Sequence, residues 1–339
     1  ERLRVLLTSY YRAGGGAAVL LVHDTRHGEE LLSLHARFGD GLPARVLPFA
    51  VNEVTQVGFD FLASALAYGA AQIMVLAPPQ RRDELQGLAA QIGIAEALMA
   101  GLGYGSGRIS VVSEADPDGL GRTLAALPRI KPAAPASYLA LGGKRSLIQL
   151  ALDHLHTEAP EPVPQIALAP GAPFGSVTVR VEGCTLCLAC VGACPTGALQ
   201  DNPERPQLRF QEDLCIQCGL CKNTCPENVI TLEPRFNFAP EARVAQVVKE
   251  EEPFACIRCG KPFGTKGSID RVLGQLAQKH AMFRNERMIQ TIQMCDDCRV
   301  KVRFETADDP FALGQRPKIR TTDDYLRERE SQSGGSDET

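Results

Sequence analysis

The sequence has no apolar run approaching the roughly 20 residues that a helix needs to cross a bilayer. Its longest apolar stretches, AAVLLV and AQIMVLAPP, are strand-sized, so no membrane span is expected. Nor is there an excess of positive charge. The 36 Lys and Arg stand against 40 Asp and Glu, for a formal net charge of −4 and a pI near 5.9. Nucleic-acid binding usually leaves a basic face or stripe, so that class is set aside. No signal-peptide pattern opens the chain, and a cytoplasmic location is expected. The chain also lacks an initiator Met. It opens at ERLRVLL, inside an apolar pattern, from which we expect further chain upstream and a targeting signal, if any, there. Finally, no cysteine stands before residue 184.

What is present then stands out. The chain has 339 residues, 44% of them hydrophobic, enough for two or three domains and a sizeable core. It has 12 cysteines, and they fall into three groups: 184/187/190/194, 215/218/221/225, and 256/259 with 295/298. Disulfide scaffolds scatter cysteines across loops. Here every cysteine has a near neighbour at metal-ligand spacing, in a chain with no secretory signal, so metal ligation is expected rather than disulfides.

Residues 17–130 alternate short apolar runs with helical patterns. AAVLLVHD, ARVLPFAV, AQIMVLAPP and RISVVSE read as buried strands. GEELLSLHARFG, EVTQVGFDFLASALAYG, RRDELQGLAAQIGIAEALMAGLG and DPDGLGRTLAAL read as helices, the last capped by Asp116. Near-continuous apolar strands separated by helices predict a parallel sheet with helices on both faces. SLIQLALDHLHTEA adds a further helix. The expected organisation is an α/β docking domain over 1–157, a Pro- and Gly-rich linker over 158–176 and a dicluster domain over 177–235. A four-cysteine helical module, containing SIDRVLGQLAQKHAMF, follows over 236–305, and a polar tail over 306–339 ends in SQSGGSDET, expected to be disordered.

CTLCLACVGACPTGAL and CIQCGLCKNTCPENVI align without gaps at an offset of 31 residues. Each follows a strand-like segment and precedes apolar residues, so the unit is strand, cluster loop, short helix, strand, used twice. C-x2-C-x2-C-x3-C-P is the spacing of bacterial-type [4Fe–4S] ferredoxins, in which the fourth cysteine ligates the other cluster. Residues 177–235 resemble such a ferredoxin-like (α+β) dicluster domain, with Pro195 and Pro226 in place. The resemblance implies one cluster on Cys184, Cys187, Cys190 and Cys225 and another on Cys215, Cys218, Cys221 and Cys194. Leu186, Leu188, Val191, Ile216 and Leu220 are expected to form an apolar shell. Ala189, Gly192, Ala193 and Gly219 are small enough to let backbone amides approach the sulfides. Every cluster corner would be protein-ligated, which predicts a relay rather than a catalyst.

The last four cysteines lie in CIRCGKPF and MCDDCR as two C-x2-C pairs. Cys256, Cys259, Cys295 and Cys298 are expected to hold one zinc ion on four thiolates, adding folding energy to a small module. A third iron–sulfur cluster is the rival, since four cysteines suit that chemistry equally, and a rubredoxin-like single iron is the remaining option.

Other signals are weaker. GLGYGSG at 101–107 ends a helix rather than opening one, and it reads as a loop. LGGKRSLIQL reads as a helix start, and the histidines of HDTRH and DHLH read as core or surface residues. The α/β domain loosely resembles those of hydrogenase- and heterodisulfide-reductase-associated iron–sulfur subunits, without their cluster cysteines. By its architecture it is also a place for a flavin or nucleotide. The whole layout resembles multidomain 4Fe–4S proteins associated with formate dehydrogenases. That implies an electron-transfer subunit whose redox partner carries molybdopterin or flavin. The alternative is an accessory or redox-sensing protein that docks on a partner enzyme and regulates or assembles it.

Overall fold

The computed structural model describes residues 1–279, 286–305 and 321–333. They form two compact units. The first comprises residues 1–181, 189–200 and 209–248, and the second comprises residues 182–188, 201–208 and the described residues from 249 onward.

The first unit is built on a parallel sheet. β1 (Val19–Asp24), β2 (Val46–Val51), β3 (Gln72–Leu76) and β4 (Ile109–Val112) lie in the order β2-β1-β3-β4, each neighbouring pair parallel. Every residue of the two central strands is buried, because parallel strands need crossovers and those crossovers cover both faces. Side chains alternate between the faces. Leu20, Val22, Ile73 and Val75 join the core of α1 (Arg2–Arg12), α3 (Phe59–Ala67), α4 (Gln86–Gly101) and α6 (Lys144–Thr157). Val19, Leu21, Met74 and Leu76 pack with α2 (His27–Phe38) and α5 (Pro117–Ala125). This is the α/β layering that the apolar runs predict, and Asp116 caps α5 by accepting from the N–H of Gly119 at 3.0 Å. Two helices start later than the pattern predicts. Gly58 precedes α3, and a 3-10 turn over Pro79–Leu85 precedes α4. Arg81 leaves helical φ/ψ there, and its guanidinium binds Glu84 and Glu53.

Residues 158–176, expected as a linker, contribute β5 (Gln165–Ala167) and the core side chains Ile166, Leu168, Ala172 and Phe174. β5 and β6 (Gly175–Val179) flank β9 (Ile230–Asn237) in an antiparallel sheet. β7 (Leu199–Gln200) pairs with β8 (Gln207–Phe210), and α7 (Ala189–Ala193) packs on α8 (Leu220–Thr224). Strand, cysteine loop, short helix and strand therefore occur twice in order. An aromatic seam ties this sheet to the helices. Phe59 of α3 meets Phe174 at 5.5 Å, and Phe174 meets Phe236 of β9 at 5.3 Å. Phe238 follows at 4.8 Å and stacks on His156 of α6 at 4.3 Å. Such aromatic pairs add to the area they bury.

β10 (Gln246–Glu250) leads into the second unit. There β11 (Pro253–Ala255) and β12 (Pro262–Thr265) form an antiparallel hairpin, followed by α9 (Lys266–Lys279), α10 (Glu286–Ile292), α11 (Asp296–Glu305) and α12 (Thr322–Ser333). The last four residues of SIDRVLGQLAQKHAMF lie outside the described residues, as do 306–320 and 334–339 of the expected tail. Within the polar tail residues 322–333 are helical, the last three of them in SQSGGSDET. The N–H and hydroxyl of Thr321 both donate to Asp324 Oδ2, at 2.8 and 3.0 Å, a cap that starts a helix in an otherwise polar stretch. Among the described residues no helix is long and apolar enough to cross a membrane.

Leu62 of α3 is fully buried in the main core. Leu62→Ala is expected to cost ~2–5 kcal/mol through lost burial and the cavity left behind. Asp116→Ala, which removes only a cap, is expected to cost about 1 kcal/mol. Denaturant unfolding of the intact chain checks both.

Candidate metal centres

All twelve cysteines are free thiols. Four of them, Cys194, Cys215, Cys218 and Cys221, line one small apolar cavity walled by Val177, Phe210, Ile216 and Leu232. Burial pushes the Cys194 thiol up, but the backbone N–H groups of Leu199, Thr196 and Ala198 and the Thr196 hydroxyl outweigh it and lower its pKa. Burial pushes Cys215 up as well, opposed by the N–H and side-chain amide of Gln217. Cys221 is raised by burial, against the N–H of Lys222, and the neighbouring thiols of Cys215, Cys218 and Cys194 raise it further. Four soft ligands around an apolar cavity, with N–H groups aimed at the sulfurs, fit an iron–sulfur cluster.

The backbone explains how those N–H groups come to point inward. Leu186 and Gln217 have φ of 51° and 54°, Leu188 and Gly219 have 57° and 78°, and Gly197 and Asn228 have 67° and 52°. Each pair is separated by the repeat offset of 31 residues. Left-handed residues among right-handed ones turn successive N–H groups toward one point and form an anion-binding concavity. A leucine at positive φ is disfavoured by roughly 1–2 kcal/mol, so its presence in both turns of the first loop marks a conformation that the loop requires. Glycine or asparagine relieves that penalty at three of the six places.

Within the second unit, Cys184 is half-buried and Cys187 exposed. Lys249 Nζ donates to the Cys184 carbonyl and pairs with Glu251 at 2.6 Å. The hydroxyls of Thr265 and Ser268 donate to the Thr185 carbonyl at 3.2 and 2.6 Å. Within the first unit, Cys190 is buried on α7, and Cys225 ends α8 with its carbonyl accepting from the N–H of Asn228 at 3.2 Å. Of the expected apolar shell, Leu186 is buried and Ile216 walls the cavity, whereas Leu220 is 46% exposed on the outer side of α8.

Two polar residues that the motif did not single out act on Cys215. Gln217 Nε2 donates to Cys215 Sγ at 3.4 Å and to the Ser176 carbonyl at 2.8 Å. Arg145, in the first turn of α6, donates to the carbonyls of Asp213 at 2.6 Å, Cys215 at 2.8 Å and Pro173 at 3.1 Å. Its guanidinium stacks over the Phe174 ring. Burial lowers its pKa, opposed by the charges of Asp213 and Cys215, and a guanidinium stays charged throughout. The repeat points to Gln217, because its counterpart is the turn residue Leu186. Nothing in the motif points to Arg145, which lies 70 residues from Cys215.

The last four cysteines converge in the second unit. Cys256 follows β11, and Cys259 lies in the same hairpin turn, where Gly260 has φ of 74°. Cys295 and Cys298 sit at the start of α11. The four Sγ atoms all lie within 4.8 Å of one another, Cys259 and Cys295 at 3.6 Å. The N–H of Cys295 donates to Cys256 Sγ at 3.3 Å. Burial pushes the Cys256 thiol up, but N–H groups of Cys295, Cys259 and Arg258 bring it down to about 6. With Met294, Phe263 and Val302 the four cysteines form a small core of their own.

The histidines of HDTRH and DHLH serve the fold. Ring nitrogens of His23, His27, His154 and His156 donate to backbone carbonyls at 2.6–3.0 Å.

Residues 183–230 match the family described as the 4Fe–4S dicluster domain. The chain is 32% identical over 99 residues to the formate dehydrogenase-O iron-sulfur subunit of Escherichia coli (strain K12), covering 27% of this chain and 33% of that protein. It is 40% identical over 52 residues to a ferredoxin of Alicyclobacillus acidocaldarius, covering 15% of this chain and 60% of the ferredoxin. It is 25% identical over 123 residues to NADH-quinone oxidoreductase subunit I 2 of Streptomyces coelicolor, covering 31% and 61%. The chain thus spans only about a third of the first of these relatives and some three fifths of the other two. The chain carries a ferredoxin-type iron–sulfur domain.

Gly175 leaves room for the Gln217 side chain. A Cβ there would stand 2.7 Å from Gln217 Cδ and would also strike the Glu233 carbonyl. Gly175→Ala is expected to destabilise the intact chain by ~1–3 kcal/mol. Gly192→Ala, whose Cβ meets nothing within 4 Å, is expected to be neutral or slightly stabilising. Denaturant unfolding of the two variants separates them.

Proposed function

We propose that this chain is an electron-transfer subunit of a larger oxidoreductase, relaying single electrons through two [4Fe–4S] clusters. Cys194, Cys215, Cys218 and Cys221 hold one. Cys184, Cys187, Cys190 and Cys225 hold the other. The observation that carries the proposal is the convergence of the first of these sets on one apolar, amide-lined cavity, with the same left-handed turns in both cysteine loops. When bound, such a cluster supplies one-electron chemistry. The chain's own residues ligate, orient N–H groups to the sulfurs and keep water out. Four thiols per site leave no corner open for substrate, which favours a relay over a catalyst.

At Cys256, Cys259, Cys295 and Cys298 we propose one structural zinc. A single tetrahedral ion with Zn–S bonds of about 2.3 Å spaces its thiolates by about 3.8 Å, and the observed separations support that. A cubane gives each thiolate its own iron and needs them farther apart. A single iron would share this spacing, and elemental analysis separates the two.

The α/β layer is the docking element in this proposal. The partner is a catalytic subunit of the molybdopterin or flavin class. Relatives named for formate dehydrogenase and NADH-quinone oxidoreductase support a partner of oxidoreductase type.

Purified without air from its native source, the tagged chain is expected to bring a cofactor-bearing catalytic subunit and to be reduced when that subunit's substrate is added. Cys190→Ser should disturb one cluster's EPR signal, leave the other and slow that reduction. Isolation only as a free chain that no partner reduces would count against the relay. Survival of both signals in Cys190→Ser would overturn the ligand assignment.

A further inference from the structure

Residues 127–143 form neither helix nor strand, although they link α5 to α6 inside the first unit. A connection of that length without secondary structure is uncommon in a compact domain, and it is usually either functional or disordered. This one is held by the body beneath it. The Arg45 guanidinium donates to the carbonyls of Leu127 and Pro128 at 2.6 and 3.0 Å, and Arg108 donates to that of Lys131 at 2.9 Å. A ring nitrogen of His154 donates to the Ala134 carbonyl at 2.6 Å, and the Tyr68 hydroxyl donates to the Tyr138 carbonyl at 3.2 Å. The N–H of Ala136 donates to the Ala67 carbonyl at 2.8 Å. The segment is a strap pinned through its backbone, which leaves its side chains for another use.

Ordering such a segment costs conformational entropy, yet Ala133 and Ala136 are its only buried side chains. What it presents outward is of one kind. Arg129, Lys131, Leu139 and Leu141 are exposed, as is Lys144 just beyond it. Leu139 is 54% exposed and Leu141 70%. No Asp or Glu occurs from Gly119 to Leu152, in a chain whose acidic residues outnumber its basic ones. Two neighbouring leucines in water, beside cations and in an acid-free stretch, are a surface prepared for contact.

The strap also leads to the right place. It runs into the first turn of α6, where Arg145 holds the carbonyls of Asp213, Cys215 and Pro173. Leu141 is four residues from Arg145, a reach of at most about 14 Å. A protein seated on the end of the strap is therefore close to the loop that carries Cys215 and Cys218. Interfaces put apolar contacts at the centre and polar groups at the rim, and complementary charge steers the encounter. Electron-transfer encounters are small and transient, so a few exposed side chains on a fixed backbone are enough.

We propose that Lys131, Leu139, Leu141 and Lys144 form the docking surface for the catalytic partner, which meets them with an acidic face around an apolar centre. The inference rests on the electron-relay reading and adds to it where the partner binds and by what chemistry. An anionic lipid surface would share the attraction to cations and leucines. Lipid surfaces, however, are met by amphipathic helices that bury a continuous apolar face, and this strap is an extended segment fixed by carbonyl bonds. Its nearness to the Cys215 loop also favours a redox protein.

The test is the rate at which the intact chain, purified without air, is reduced by the molybdopterin- or flavin-bearing subunit isolated with it. The rate is measured against that subunit's concentration and against salt, with its substrate present. For the wild-type chain the rate is expected to saturate, and the half-saturating concentration to rise with salt. Lys131→Glu with Lys144→Glu should raise that concentration about tenfold, flatten its salt dependence and leave the saturating rate in place. Leu139→Ser with Leu141→Ser should raise it with the salt dependence intact. EPR signals and unfolding midpoints of both double variants should match the wild type, because the side chains are exposed. Half-saturating concentrations unchanged in both would overturn the inference while wild-type reduction still supported the relay. A loss confined to Lys222→Glu would move docking to α8 and overturn it too. So would strap variants that lose binding to vesicles of phosphatidylglycerol and phosphatidylcholine while the partner still reduces them as it does the wild type. A wild-type chain that no such subunit reduces would overturn the relay reading, and this inference with it.

Discussion

A short loop can wrap an anionic cluster only if its backbone N–H groups turn inward, and that demands residues with positive φ between the cysteines. Much of the site's structure answers to this constraint. It places Leu186 and Leu188 in a conformation that leucine disfavours, puts Gln217 and Gly219 at the matching turns of the second loop, and fixes the spacing of the thiols. The turns need outside support. Hydrogen bonds from Arg145, Lys249, Thr265 and Ser268 to loop carbonyls supply it. The site is therefore not just a cysteine motif. It is two strained turns held by groups from elsewhere in the chain.

Packing carries the same logic into the α/β layer. The seam from Phe59 through Phe174 and Phe236 to Phe238 and His156 runs from the helices to the strand that closes the second cysteine loop. Arg145 lies over Phe174 and reaches the loop carbonyls from there. Apolar burial fixes the distance, and the guanidinium fixes the orientation. The last four cysteines follow a different rule. They have few apolar neighbours, and their four Sγ atoms lie within 4.8 Å of one another.

The dicluster motif was legible because a tight cysteine loop is a local matter, and four residues at fixed spacing declare it. β1 and β3 were legible because a strand buried on both faces must be apolar throughout. What escaped was set by distant contacts. β5 is three residues long inside a Pro- and Gly-rich stretch, and only its pairing with β9 makes it a strand. Arg145 reads as one cation at a helix start until the fold brings Cys215 to it. The left-handed leucines break the expectation that glycine fills such turns, and Gly219, one repeat further on, was their only hint. α12 was missed because its cap, Thr321 with Asp324, sits in a stretch that reads only as a polar tail.

The measurement that tests the account most directly is the count of iron, acid-labile sulfide and zinc in protein purified without air. Two cubanes and one four-thiolate ion predict about eight iron, about eight sulfide and about one zinc per chain. About twelve iron with no zinc would contradict the single-ion reading of Cys256, Cys259, Cys295 and Cys298, and about four iron or fewer would contradict the pair of clusters.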